Sequence, residues 1–191
     1  GMLRAEDVSK EHRQWTLQQI TQSLTEYLKH HPWDAKVHSV LGILHNFYGN
    51  PQIALPHLKK LVELMPSKPK AWINLGDWYL NQNQFELAKQ HFKTAYDLAP
   101  SYNLTKYKYA IADILTSSSL DIASFLASDL STALVTPLFV NAFFQTKQGE
   151  KLISLFNLAI SHEPDNFFLH LHLGMTLYKL DKKEEARKKI H

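Results

Sequence analysis

"AWINLGDWYLNQNQFELAKQHFKTAYDLAP", residues 71–100, carries two helical patterns on either side of a polar turn. Trp72, Leu75 and Tyr79 recur at helical spacing, and so do Leu87, Ala88, Phe92, Ala95 and Tyr96 further on. The intervening "NQNQ" reads as the turn. Pro100 ends the second helix, because proline lacks an N–H and its ring clashes with the preceding turn. Gly76 and Ala88 are small enough for the two helices to approach closely, and Trp72, Leu75 and Tyr79 fill the space around that contact.

The same order recurs outward from this stretch. Pro32, Pro66, Pro100 and Pro164 are separated by 34, 34 and 64 residues. The pairs Leu41-Gly42, Leu75-Gly76 and Leu173-Gly174 are separated by 34 and 98, and an alanine (Ala54, Ala88, Ala186) follows each glycine by 12. A fixed interval of this size marks stacked helical hairpins, none of which can bury its apolar face alone.

Residues 69–102 resemble the tetratricopeptide repeat, whose pattern places Trp, Leu-Gly, Tyr, Ala, Phe, Ala and Pro at these offsets. Residues 35–68 resemble it through Leu41, Gly42, Ala54, Leu58 and Pro66, with His38 in place of Trp and His45 in place of Tyr. Pro56 falls inside the second helix of that unit and predicts a kink or a late start there. Residues 13–34 read as a lone second helix. In 103–132, "NLTKYKYAIADILT" is a first helix and "LDIASFLASDLSTALV" a second, with Ser117-Ser118-Ser119 between them and Ala110 in place of Gly. Residues 133–166 recover the second-helix positions through Leu152, Phe156, Ala159 and Pro164, and 167–191 carry Leu173, Gly174, Ala186 and Ile190. The resemblance implies an all-α fold, a right-handed superhelical solenoid of stacked helix-turn-helix repeats, spanning 2–191 as one domain.

Composition fits a folded chain: 45% of its 191 residues are hydrophobic and 12% aromatic. Gly1 before Met2 reads as a residue left by tag removal. The formal charge of +3 is too small to call for nucleic acid. The absence of cysteine removes disulfides, thiolate catalysis and Cys-based zinc sites. No secretory signal follows Met2, and the longest uncharged run, 130–146, contains Pro137 and Asn141 and is too short to span a bilayer. A cytoplasmic location is expected, or a periplasmic one if a leader has been removed.

Chemistry finds little foothold. No glycine pattern suits a phosphate-cradling loop, and no HExxH occurs among the 11 histidines. His57 and His91 lie 34 apart and should occupy equivalent places in neighbouring repeats, but no further metal ligand accompanies them. No paired acids or nucleophile elbow stand out. A protein without enzymatic activity, cofactor or metal is expected.

The resemblance further implies that the first helices line a concave groove holding a partner's peptide or helix. Its contact positions fall on Lys36, Asn46, Lys70, Asp77, Asn81, Tyr107 and Ile111. The family's chaperone-tail clamp is not expected, since Ser39, Ile43 and Leu104 stand where it has polar or charged groups. Asn74 fits and Lys108 supplies a charge in place of Arg, but the cation pair that would neutralise the carboxylate is missing. The layout is also similar to periplasmic domains that assist cytochrome c assembly in bacteria. A third expectation is a homodimer through the C-terminal repeat, with Leu173, Leu177, Leu180 and Ile190 open to a second copy.

Overall fold

A computed structural model describes residues 5–116 and 130–190. Among them every regular element is an α-helix. They fall into two compact units, Gly1–Pro100 and Ser101–His191.

The first unit holds α1 (Ala5–His30), α2 (Ala35–Tyr48), α3 (Pro51–Leu64), α4 (Pro69–Asn81) and α5 (Phe85–Leu98). α2 pairs with α3 and α4 with α5; α4 also packs on α3 and beside α2, and α1 lies against α2. The two hairpins close over the glycines singled out in the sequence. A Cβ on Gly76 would stand 2.5 Å from Cε1 of Phe92, and one on Gly42 would collide with the Leu58 side chain. Phe92, Leu58, Ala54 and Ala88 are fully buried around these crossings. The hairpins are joined by Leu75 and Trp78 of α4, which pack on Ala54 and Leu58 of α3. The Trp78 indole N–H donates to the Pro51 carbonyl at 2.7 Å, so this large side chain is buried with its polar atom paired.

α3 does not start late. It runs unbroken from Pro51, a residue suited to the first helical position, with Asn50 capping the Gln52 N–H at 2.9 Å. Pro56 is tolerated because it lies on the exposed side, where water can serve the carbonyl one turn earlier that its missing N–H leaves unbonded.

The second unit holds α6 (Asn103–Thr116), α7 (Leu130–Leu134), α8 (Pro137–Gln145), α9 (Gly149–His162), α10 (Phe167–Lys179) and α11 (Lys183–Ile190). α8 packs on α6 and α9, α9 on α7 and α10, and α10 on α11. Phe139, Phe143, Leu152, Leu155 and Phe156 are fully buried among them. Leu152, Phe156 and Ala159 thus take the core places expected from the repeat. The expected Ser117–Ser119 loop and most of the helix expected over 120–135 lie outside the described residues.

Three hairpin turns share one geometry. Asn83, Lys147 and Asp181 have φ of 58°, 58° and 61°. Each donates its N–H to the carbonyl three residues back, and the next residue's N–H reaches five back: Gln84 to Tyr79 at 2.9 Å, Gln148 to Phe143 at 2.8 Å, Lys182 to Leu177 at 2.9 Å. This pair of bonds is the Schellman ending of a helix, which needs a left-handed residue at its apex.

The inter-repeat turns share a side-chain clasp. Six residues after a proline, a ring N–H donates back to the proline carbonyl. Trp72 Nε1 reaches Pro66 at 2.7 Å, His38 Nε2 reaches Pro32 at 3.0 Å, and His170 Nε2 reaches Pro164 at 2.8 Å. Histidine can therefore stand in for tryptophan, since both offer a ring N–H at the right reach.

Candidate functional site

The first helices of the two clear repeats, α2 and α4, lie side by side. Ser39 and Asn46 are two turns apart on α2, and Asn74 and Asn81 two turns apart on α4. The Asn81 amide donates to Asn46 Oδ1 at 3.2 Å, and the Asn74 amide reaches Ser39 Oγ at 3.5 Å. These rungs tie neighbouring repeats edge to edge. Lys36 and Lys70 are exposed at the starts of the two helices, Asp77 is half-buried and Asn81 exposed. Asn46 is itself buried, and Phe47 beside it is 53% exposed. Five of the expected contact residues, Lys36, Asn46, Lys70, Asp77 and Asn81, thus sit on this pair of helices.

The other two do not present a surface. Tyr107 is buried and Ile111 fully so, both among the core residues of α6.

The residues expected to open the C-terminal repeat to a second copy are placed differently too. Leu173 and Leu177 are buried, and Leu180 lies against Gly149. The exposed apolar side chains of α10 are Phe167, Phe168, Met175 and Tyr178. The Ile190 side chain lies outside the described residues.

His38, His45 and His57 occupy the places that Trp72, Tyr79 and His91 hold one repeat later, each pair 34 apart. In the later repeat His91 stacks on Tyr79 (5.0 Å between centroids) and on Trp72 (5.7 Å). In the earlier one His57 Nδ1 lies 2.9 Å from His38 Nδ1. Because His38 Nε2–H serves the Pro32 carbonyl, neutral His38 accepts at Nδ1, and His57 donates. His45 accepts the Asn50 N–H at Nδ1 (3.3 Å) and gives its Nε2–H to Thr21 Oγ1 (2.9 Å), whose hydroxyl donates to the Leu17 carbonyl. That chain of bonds fastens α1 to the hairpin. Burial holds His45, His57 and His91 below the usual imidazole pKa, with His38 and His45 adding to the shift at His57 and Lys59 to that at His91. Among the described residues no group of three His, Asp or Glu could hold a metal ion.

α1 and α2 also frame a cleft of about 630 Å³, with Leu17, Ile20, Leu44 and Phe47 along its apolar side and His12 and Arg13 at its rim. α1 begins at Ala5 rather than at residue 13, and the cleft carries no sequence signal because it lies between two elements rather than along one.

The fold and this pair of edge-linked first helices define a helical repeat protein. Residues 69–102 match the family model of the tetratricopeptide repeat. That stretch is such a repeat, and the fold of the chain is similar to that of a solved tetratricopeptide-repeat structure. Among solved structures, YrrB, described as a tetratricopeptide-repeat protein with an unusual peptide-binding site, is similar at 18% identity. The match covers 87% of this chain and 88% of YrrB with a TM-score of 0.51. MamA from Desulfovibrio magneticus RS-1 matches at 20% identity over 81% of this chain and 90% of its own, with a TM-score of 0.46. No curated protein matches by sequence. Among the described residues no helix is long and apolar enough to cross a membrane.

Proposed function

We infer that the chain is a non-catalytic protein-interaction scaffold whose α2–α4 face holds an extended segment of a partner protein. The observation that carries this reading is the asparagine rung. The Asn81-to-Asn46 bond uses one amide N–H and one carbonyl, which leaves the Asn46 NH₂ and the Asn81 carbonyl as a donor and an acceptor side by side. A peptide backbone offers the complementary pair at each residue. Lys36 and Lys70 at one end favour a segment carrying carboxylates there, and Phe47 at the other offers an apolar contact. The peptide-binding site ascribed to YrrB supports the reading by likeness of fold.

The test is a peptide array probed with the wild-type protein and with two variants, Asn46→Ala/Asn81→Ala and Lys36→Glu/Lys70→Glu. Loss of the same spots on both variants is the expected result. Spots that persist on both place the site elsewhere.

A further inference from the structure

We propose that the cleft between α10 and α11 is a second docking site, which takes an acidic amphipathic helix of a partner protein. The chain itself displays what fits such a cleft. Gly42 of α2 and Ala54 of α3 have counterparts 132 residues later in Gly174 of α10 and Ala186 of α11, which line one cleft. In the earlier repeat the groove floored by Ala54 is filled by a helix, α4, through Leu75 and Trp78, three residues apart. In the later repeat the corresponding groove is a cleft of about 320 Å³. Ala186 is buried at its floor, while Met175 and Tyr178 on its wall are 50% and 64% exposed. A helix that presents an aliphatic side chain and an aromatic one three places on matches this shape, as α4 does upstream.

Charge decides which helix. The charged side chains lining the cleft are Lys179, Lys183 and Arg187. Lys179 leans on the Phe144 ring at 4.9 Å. Asp181 and Glu184 hold Lys183 and Arg187 from outside the cleft, through exposed ion pairs of 3.1 and 2.9 Å that an incoming carboxylate can replace at little cost. A neutral helix such as α4 would leave Lys183 and Arg187 in their own ion pairs and gain nothing from the cations at the rim, and a basic one would be repelled. A helix flanked by Glu or Asp satisfies all three. This site lies on other elements than the α2–α4 face, so the fate of either proposal leaves the other standing.

The test uses the full chain and two synthetic helical peptides. Both carry Leu and Trp three apart on one face; one is flanked by Glu, the other by Lys in the same places. Fluorescence anisotropy should show the Glu peptide binding at least about tenfold tighter than the Lys peptide. Lys179→Glu/Lys183→Glu should reverse that order, and Tyr178→Ala should weaken both. All three positions are exposed, and circular dichroism checks that the variants keep their helix. Equal binding of the two peptides, or binding indifferent to both variants, would overturn the proposal. So would a dimer in sedimentation that Tyr178→Glu converts to monomer, because the cleft would then belong to a second copy of the chain.

Discussion

At the scale of single residues the molecule depends on small side chains at helix crossings and on histidines in places that usually hold larger aromatics. Gly76 has no room to grow, since a methyl group there meets the buried edge of Phe92. Alanine would gain about 1 kcal/mol of helix propensity but force the ring off its seat, so Gly76→Ala should lose a net ~1–2 kcal/mol in urea unfolding. The histidines give a pH dependence whose sign is fixed. Burial lowers the folded pKa of His45, His57 and His91, so below the ordinary pKa of about 6.5 the unfolded chain binds protons that the folded one resists. Their contribution is complete above that value and is lost as pH falls through the lowered folded values. Denaturation midpoints should therefore drop between pH 7 and 5. The slope should be shallower in His57→Gln, which no longer titrates beside His38 and His45. Equal slopes would mean that other groups carry the acid sensitivity.

At the scale of elements the ends of the helices differ in quality, and the repeat itself supplies the comparison. Asp34 caps α2 by accepting the Lys36 and Val37 N–H groups at 2.9 and 3.2 Å. Its counterpart 34 residues on, Lys68, makes no side-chain bond to α4 and sets a positive charge at the positive end of the helix. Lys68→Asp should raise the thermal midpoint, with a gain of about 1 kcal/mol. At the turn between α8 and α9, Lys147 occupies the left-handed apex that Asn83 and Asp181 fill elsewhere. Asn and Asp tolerate that conformation through their short polar side chains, and lysine has no such relief. Lys147→Gly should stabilise by roughly 0.5–1 kcal/mol, whereas Lys147→Val should destabilise. Here lies one limit of the sequence. Prolines and Leu-Gly pairs announce hairpins because each meets a steric demand that few residues satisfy. A lysine at a turn apex carries no signal, because the two backbone bonds around it hold it there whatever its preference.

At the scale of the whole molecule, stability in a stacked array is set by each repeat and by its contact with the next. That second term leaves the weaker mark on the sequence. Helical spacing within 71–81 points to one covered face, Trp72, Leu75 and Tyr79, but a first helix in a stack is covered on two. Trp78 belongs to the second face, against the preceding repeat, and periodicity within a single helix does not mark it. The repeat offsets implied by the resemblance carry Tyr107 and Ile111 to the groove, whereas both are buried in the core of α6. Asn46 and Asn81 bond each other across neighbouring repeats, and a polar group at a fixed repeat offset has few reasons to be there beyond a neighbour or a partner. Trp78 is where the coupling between repeats can be measured. It is 4% exposed, packs on Ala54 and Leu58, and donates to the Pro51 carbonyl. Trp78→Phe keeps part of the packing and loses the bond; Trp78→Ala loses both and should cost about 3–5 kcal/mol. In native-state hydrogen exchange, Trp78→Ala should lower protection in α2 and α3, which do not contain the substitution, while α10 and α11 keep theirs. An equal loss in both places would mean that the chain unfolds as one cooperative body, and the description by neighbouring repeats would fail.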